Sequence, residues 1–137
     1  MLHSKGHKSE EYNDGFYAVE AMKNNPSSMN YDVILMDFIM PLMDGPSATR
    51  ELHLLGCSIP VIGLTGNGLP SDVKRFLDSG VYKVLIKPLN LDDFHKIMIE
   101  IKLNQLNSNV QQPDGEDEWK LIWMFDSCRI ELFLNWF

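Results

Sequence analysis

The chain has little cysteine, no surplus of positive charge and no glycine-rich nucleotide box, and each scarcity excludes something. Only Cys57 and Cys128 are present among 137 residues; they stand 71 positions apart, without metal-type spacing. That excludes a disulfide scaffold or thiolate cluster and fits two reduced thiols in a cytoplasmic protein. A formal net charge of −7 argues against nucleic acid or an anionic membrane as partner, since both call for a basic surface. No apolar core follows Met1, so no targeting segment is expected. The sole candidate membrane span, residues 119–137, carries Lys120, Asp126, Arg129 and Glu131 and is a poor one. His3, His7, His53 and His95 lack ligand spacing and read as surface histidines. Without ATP-binding glycine boxes the chain is not expected to be a kinase.

What is present is an ordinary globular composition, 45% hydrophobic and 23% charged, enough for one domain and a short tail. Residues 7–12 read as a weak, polar strand suited to a sheet edge. Asn13-Asp14-Gly15 turns the chain and caps a helix over 16–24 with Ala18, Val19 and Met22 inward. Val33-Ile34-Leu35-Met36 is a continuous apolar strand, the pattern of a strand covered on both faces. Asp44 caps the next helix, with Pro46 in its first turn and Gly56 as its stop. A strand over 60–64, a helix opened by Pro70 with Val73, Phe76 and Leu77 on one face, and a strand over 82–86 follow. Asn90 then caps a helix with Phe94, Ile97, Met98 and Ile101 at i, i+3, i+4 and i+7. Strands alternating with helices predict an α/β fold with a doubly wound parallel sheet.

Three polar residues end three of these strands. Asp37 closes the apolar run at 33–36, Thr65 lies 28 positions later, and Lys87 follows 22 beyond that. In open α/β sheets ligands bind outside the carboxyl ends of the strands, so a carboxylate, a hydroxyl and an ammonium there form a candidate site. With Asp37-Phe38-Ile39-Met40-Pro41-Leu42-Met43-Asp44-Gly45 and Lys87-Pro88, residues 3–104 resemble a response regulator receiver domain, of the type found in hybrid histidine kinases. The resemblance implies a flavodoxin-like sheet of order 2-1-3-4-5 and a role in phosphorelay signalling.

By that resemblance Asp37 is the nucleophile that takes a phosphoryl group from phosphohistidine, on a histidine kinase or histidine phosphotransfer protein. Lys87 and Thr65 are the cation and hydroxyl that meet the phosphoryl oxygens. Pro88, expected after a cis peptide, aims Lys87; Gly66 leaves room beside Thr65; Met40, Pro41, Asp44 and Gly45 support the loop. Mg²⁺ is the implied cofactor, held by Asp37 and the Ile39 carbonyl. Here the chain departs from its family. Two acids at the end of the first strand supply the remaining metal ligands, and position 37 leaves no room for that strand before it; Glu10 and Glu11 read as edge-strand residues. The sheet is therefore expected to be incomplete: an open edge along 33–36, and the last helix without its partner. The aromatic residue that many receivers carry three positions before the lysine is Val84 here, and Tyr82, taken to share its face, reads as packing.

These features divide the chain into a truncated receiver (1–104), an acidic polar linker (105–118) and an apolar tail (119–137) that holds all three tryptophans. The tail's uneven periodicity favours out-of-register sequence over a partner-binding helix or a fragment of a neighbouring domain. For the missing first strand, a truncated gene model or a missing upstream exon is expected rather than a partner chain or the tail filling the gap. The expected function is a phosphoacceptor module. The alternatives are a non-phosphorylated module that binds partners through its last two helices and the strand between them, or a non-functional fragment. A hydrolase is not expected, because no second acid is placed beside Asp37.

Overall fold

The computed structural model describes residues 8–28, 30–109 and 129–133. His3, His7, the linker from residue 110 and the three tryptophans lie outside the described residues. In chain order the elements are β1 (Lys8–Glu11), α1 (Gly15–Asn24), β2 (Val33–Asp37), α2 (Gly45–Leu54), β3 (Val61–Thr65), α3 (Pro70–Asp78), β4 (Lys83–Ile86), α4 (Leu91–Asn109) and β5 (Arg129–Phe133).

The five strands form one sheet of order β1-β5-β2-β3-β4, and every pairing is parallel. All five residues of β2 and all five of β3 are buried, the closing Asp37 and Thr65 included; for Val33–Met36 the unbroken apolar run predicts it. The pleat divides their side chains between two cores. Ile34 and Met36 join Ala18, Val19 and Met22 of α1, Ala48 and Leu52 of α2, and Phe76 of α3. Val33, Leu35, Ile62 and Leu64 join Phe94, Ile97, Met98 and Ile101 of α4. Helices thus cover both faces, and the fold is the flavodoxin-like doubly wound sheet.

Helix boundaries follow their caps. Asp14 accepts from the Phe16 N–H at 2.9 Å, and Asp44 from the Ser47 N–H at 2.8 Å. Asn90 accepts from the amides of Asp92 and Asp93 at 2.9 and 3.2 Å. Gly56, beyond the end of α2, has φ +85°, a conformation that favours glycine.

Four expectations are corrected. The side of β2 expected to be open is paired: β5 lies between β1 and β2, with Glu131 opposite Glu10 on one side and Ile34 on the other. The C-terminal segment, not an upstream strand, occupies the central place, because an unpaired strand flank leaves N–H and C=O groups unsatisfied. The stripe of α4 is not bared; Phe94 and Met98 are buried because they pack on β2 and β3, which the chain retains. Helix α4 also runs to Asn109, through the first residues assigned to the linker. On α3 only Phe76 is fully buried, while Leu77 is exposed, since the helix meets the sheet along a narrow line.

Candidate functional site

The carboxyl ends of β2, β3 and β4 bring the three strand-end residues to one edge of the sheet. Asp37 is the last residue of β2 and Thr65 the last of β3; Lys87 follows β4 directly. Asp37 stands in register with Leu64, and Thr65 with Ile86, so the acid and the hydroxyl occupy adjacent strand ends. The Lys87 N–H donates to the Thr65 carbonyl at 2.8 Å, which fixes where the lysine leaves the sheet. Its Nζ then reaches back to Asp37 Oδ2 at 2.6 Å. Asp37 is 4% exposed, and the Lys87 side chain 31%. A nearly buried carboxylate needs such a partner, and a partly solvated ammonium is free to follow negative charge. The Lys87–Pro88 peptide is cis.

The loop from Phe38 to Asp44 carries the other expected residues. Ile39 is strongly exposed, whereas Met40 is buried. Pro41 leads to Leu42 and Met43, whose N–H groups donate to Asp14 at 2.8 and 3.0 Å. Gly45 closes the loop: its N–H donates to the Phe38 carbonyl at 2.9 Å. A side chain at Gly45 would overlap the Asp37 carbonyl oxygen and stand 2.7 Å from Phe76 Cζ. Gly45→Ala is therefore expected to cost about 1–3 kcal/mol of stability through overpacking and to displace Asp37, as measured by urea unfolding and phosphorylation rate. At Gly66, by contrast, a Cβ would meet nothing within 4 Å. Room for the protein's own atoms does not require glycine there.

Asp44 does more than cap α2. It pairs with Arg75 at 2.6 Å, and the guanidinium lies over the Phe38 ring at 5.6 Å from its centroid. Burial opposes the charge on Asp44, but its hydrogen bonds to Ser47 and the Arg75 guanidinium outweigh burial and hold the carboxyl below the usual carboxylate range. A depressed carboxyl contributes stability above the unfolded-state value and loses it as pH falls through the folded one. Asp44→Asn keeps the cap and loses the charge pair. Thermal melts should show it less stable than the parent by about 0.5 kcal/mol at neutral pH, with the gap closing below the carboxylate range.

Tyr82 is placed differently from expectation. It packs with the α4-side core, whereas Val84 packs with the opposite one, because Tyr82 precedes the strand and escapes its alternation. Its hydroxyl donates to Glu100 at 2.8 Å and accepts from Asn104 at 2.9 Å. Hydrogen bonds from Lys83 and Tyr82 hold the Glu100 carboxyl below its ordinary range.

The implied metal fits poorly. Mg²⁺ takes six oxygens in near-ideal octahedral geometry. The described loop offers the Asp37 carboxylate, already paired with Lys87, and the Ile39 carbonyl. Among the described residues no three His, Cys, Asp or Glu side chains are grouped to hold a metal ion. The residues that directly follow β5 in the sequence, Leu134 and Asn135, are not acids.

Asp14 was legible as a cap but not as the holder of a loop 28 positions away, and nothing in the sequence points from Arg75 to Asp44.

Among the described residues no helix is long and apolar enough to cross a membrane. The model of the response regulator receiver domain family matches residues 1–99. Over 92 residues the chain is 38% identical to the sensor histidine kinase RcsC of Escherichia coli K12, 67% of this chain but 9% of that protein. It is 33% identical over 94 residues to the two-component response regulator ORR41 of Oryza sativa subsp. japonica, covering 69% of this chain and 72% of that one. Among solved structures, the receiver domain of the sensor histidine kinase PA1611 from Pseudomonas aeruginosa, described with a magnesium ion in its active site cleft, is 35% identical. That match covers 72% of this chain and 80% of the other, with a TM-score of 0.62.

Proposed function

The chain belongs to the response regulator receiver domain family, and we propose that it accepts a phosphoryl group from phosphohistidine onto Asp37. The observation that carries this is the Lys87 ammonium 2.6 Å from a nearly buried Asp37, with Thr65 on the neighbouring strand end. An Asp37 oxygen attacks phosphorus as the phosphorus–nitrogen bond breaks; the imidazole leaves with the bonding pair and takes up a proton. Negative charge spreads over the transferring oxygens, so Lys87 turns from the carboxylate to one of them, and the Thr65 hydroxyl donates to another. Neither group breaks a bond; both lower the cost of charge beside a nearly buried carboxylate. The donor is a histidine kinase or a histidine phosphotransfer protein in the cytoplasm. Domains of this family receive phosphoryl groups and are not themselves kinases.

A second reading is favoured by the short oxygen set that the described residues place around Asp37: an unphosphorylated module that binds partners through α3, β4 and α4. Incubation with phosphoramidate or acetyl phosphate in a magnesium buffer separates the two. A gain in intact mass of one phosphoryl group, absent from Asp37→Asn, supports the acceptor. An unchanged mass in the parent supports the interaction module.

A further inference from the structure

Residues 38–44 form the loop between β2 and α2 and have neither helical nor strand structure, yet they carry the Asp37 backbone into its surroundings. Their ends are tied to the fold: the Phe38 N–H donates to the Leu64 carbonyl at 2.8 Å, and the Gly45 N–H to the Phe38 carbonyl at 2.9 Å. The middle is tied by one side chain from another element. Asp14 is 3% exposed and accepts three backbone N–H groups. Its Oδ1 takes Phe16 at 2.9 Å and Met43 at 3.0 Å, and its Oδ2 takes Leu42 at 2.8 Å. The next residue adds close packing: a Cβ at Gly15 would stand 2.6 Å from Ala48 Cβ and 3.1 Å from both Met40 Cε and the Met43 carbonyl oxygen. Capping α1 uses one of the three bonds. The other two reach across 28 and 29 positions of sequence to the loop.

We propose that Asp14 is a positioning residue for phosphoryl transfer: its carboxylate fixes the turn at residues 41–43 and so holds the backbone between Asp37 and Gly45 in the geometry that acyl phosphate formation requires. This rests on the reading of Asp37 as the acceptor. Asp14 touches no reacting atom. Its effect is on orientation, where a misplacement of about 1 Å costs on the order of a hundredfold in rate. Two acceptor oxygens are needed, because an amide at this position would keep one oxygen for Phe16 and Met43 and turn an N–H₂ group against the Leu42 N–H.

Three variants test it: Asp14→Ala, Asp14→Asn, and Ile101→Val as a destabilising control in the opposite core. Amide exchange of Leu42 and Met43 is measured without any phosphodonor, and the initial rate of labelling by phosphoramidate is measured separately. Asp14→Ala is expected to lose protection at both amides and about ten- to a hundredfold in rate. Asp14→Asn, which keeps the helix cap, is expected to lose protection at Leu42 alone and to give an intermediate rate. Ile101→Val is expected to leave both readouts near the parent. Unchanged protection of Leu42 and Met43 in Asp14→Ala overturns the proposal. So does lost protection with a rate within about twofold of the parent. A parent chain that takes no label overturns the acceptor reading instead, and the exchange data then still decide whether Asp14 holds the loop.

Discussion

Asp37→Asn is expected to reduce phosphoryl incorporation to background while leaving the chain folded. The amide is nearly isosteric with the carboxylate, so β2 keeps its packing and its register with β3. It carries no negative charge and is a poor nucleophile toward phosphorus. Lys87 loses its 2.6 Å partner, but its side chain retains enough exposure for the ammonium to remain hydrated. Lys87→Ala should behave differently. The nucleophile stays, the cation is lost, and the rate falls by about a hundred- to a thousandfold, the usual cost of removing one preorganised charge-stabilising group. A time course of intact mass with phosphoramidate distinguishes no product from slow product.

A chain that ends at Cys128 is expected to lose cooperative folding. Among the described residues, strand β5 is the only neighbour of β1 in the sheet and the second neighbour of β2, with four register pairs on each side. Removing it leaves backbone groups of β1 and β2 without partners. Each lost hydrogen bond costs about 0.5–1.5 kcal/mol, and each group left buried and unsatisfied costs more. Summed along both flanks, the loss matches the whole stability of a typical domain, about 5–15 kcal/mol. Urea unfolding followed by circular dichroism should show a broad transition, or none, where the full chain shows a sigmoidal one. Leu132→Pro tests the same point without truncation: it removes one ladder donor from a strand paired on both sides, and proline is tolerated only at sheet edges. A truncated chain that unfolds with the parent's midpoint would remove β5 from the account.

Elements with short-range signals were legible in the sequence. The apolar run of β2 predicts burial on both faces, and the structure alternates Ile34 and Met36 with Val33 and Leu35 between two cores. Asp14, Asp44 and Asn90 cap the helices that they precede in sequence. The strand-end pattern of Asp37, Thr65 and Lys87 survives because it needs only strand polarity and spacing. What escaped the sequence depends on distant partners. Arg129-Ile130-Glu131-Leu132 alternates polar and apolar residues, but the Trp-rich surroundings mask that period, and nothing local says that the segment enters the sheet between residues 8–11 and 33–36. The second role of Asp14 is likewise a contact across 28 positions. Strand alternation does not reach Tyr82, because β4 begins at Lys83.

Asp37 is the residue expected to be phosphorylated, and locating the acyl phosphate chemically tests this without intermediaries. An aspartyl phosphate is reduced by borohydride to homoserine, whereas phosphoserine, phosphothreonine and free carboxylates are not. The 137-residue chain, treated with phosphoramidate, reduced, digested and sequenced by mass spectrometry, is predicted to carry homoserine at position 37 and at no other aspartate. Homoserine at Asp14 or Asp44, or none at any position in a chain shown to be folded, would contradict it.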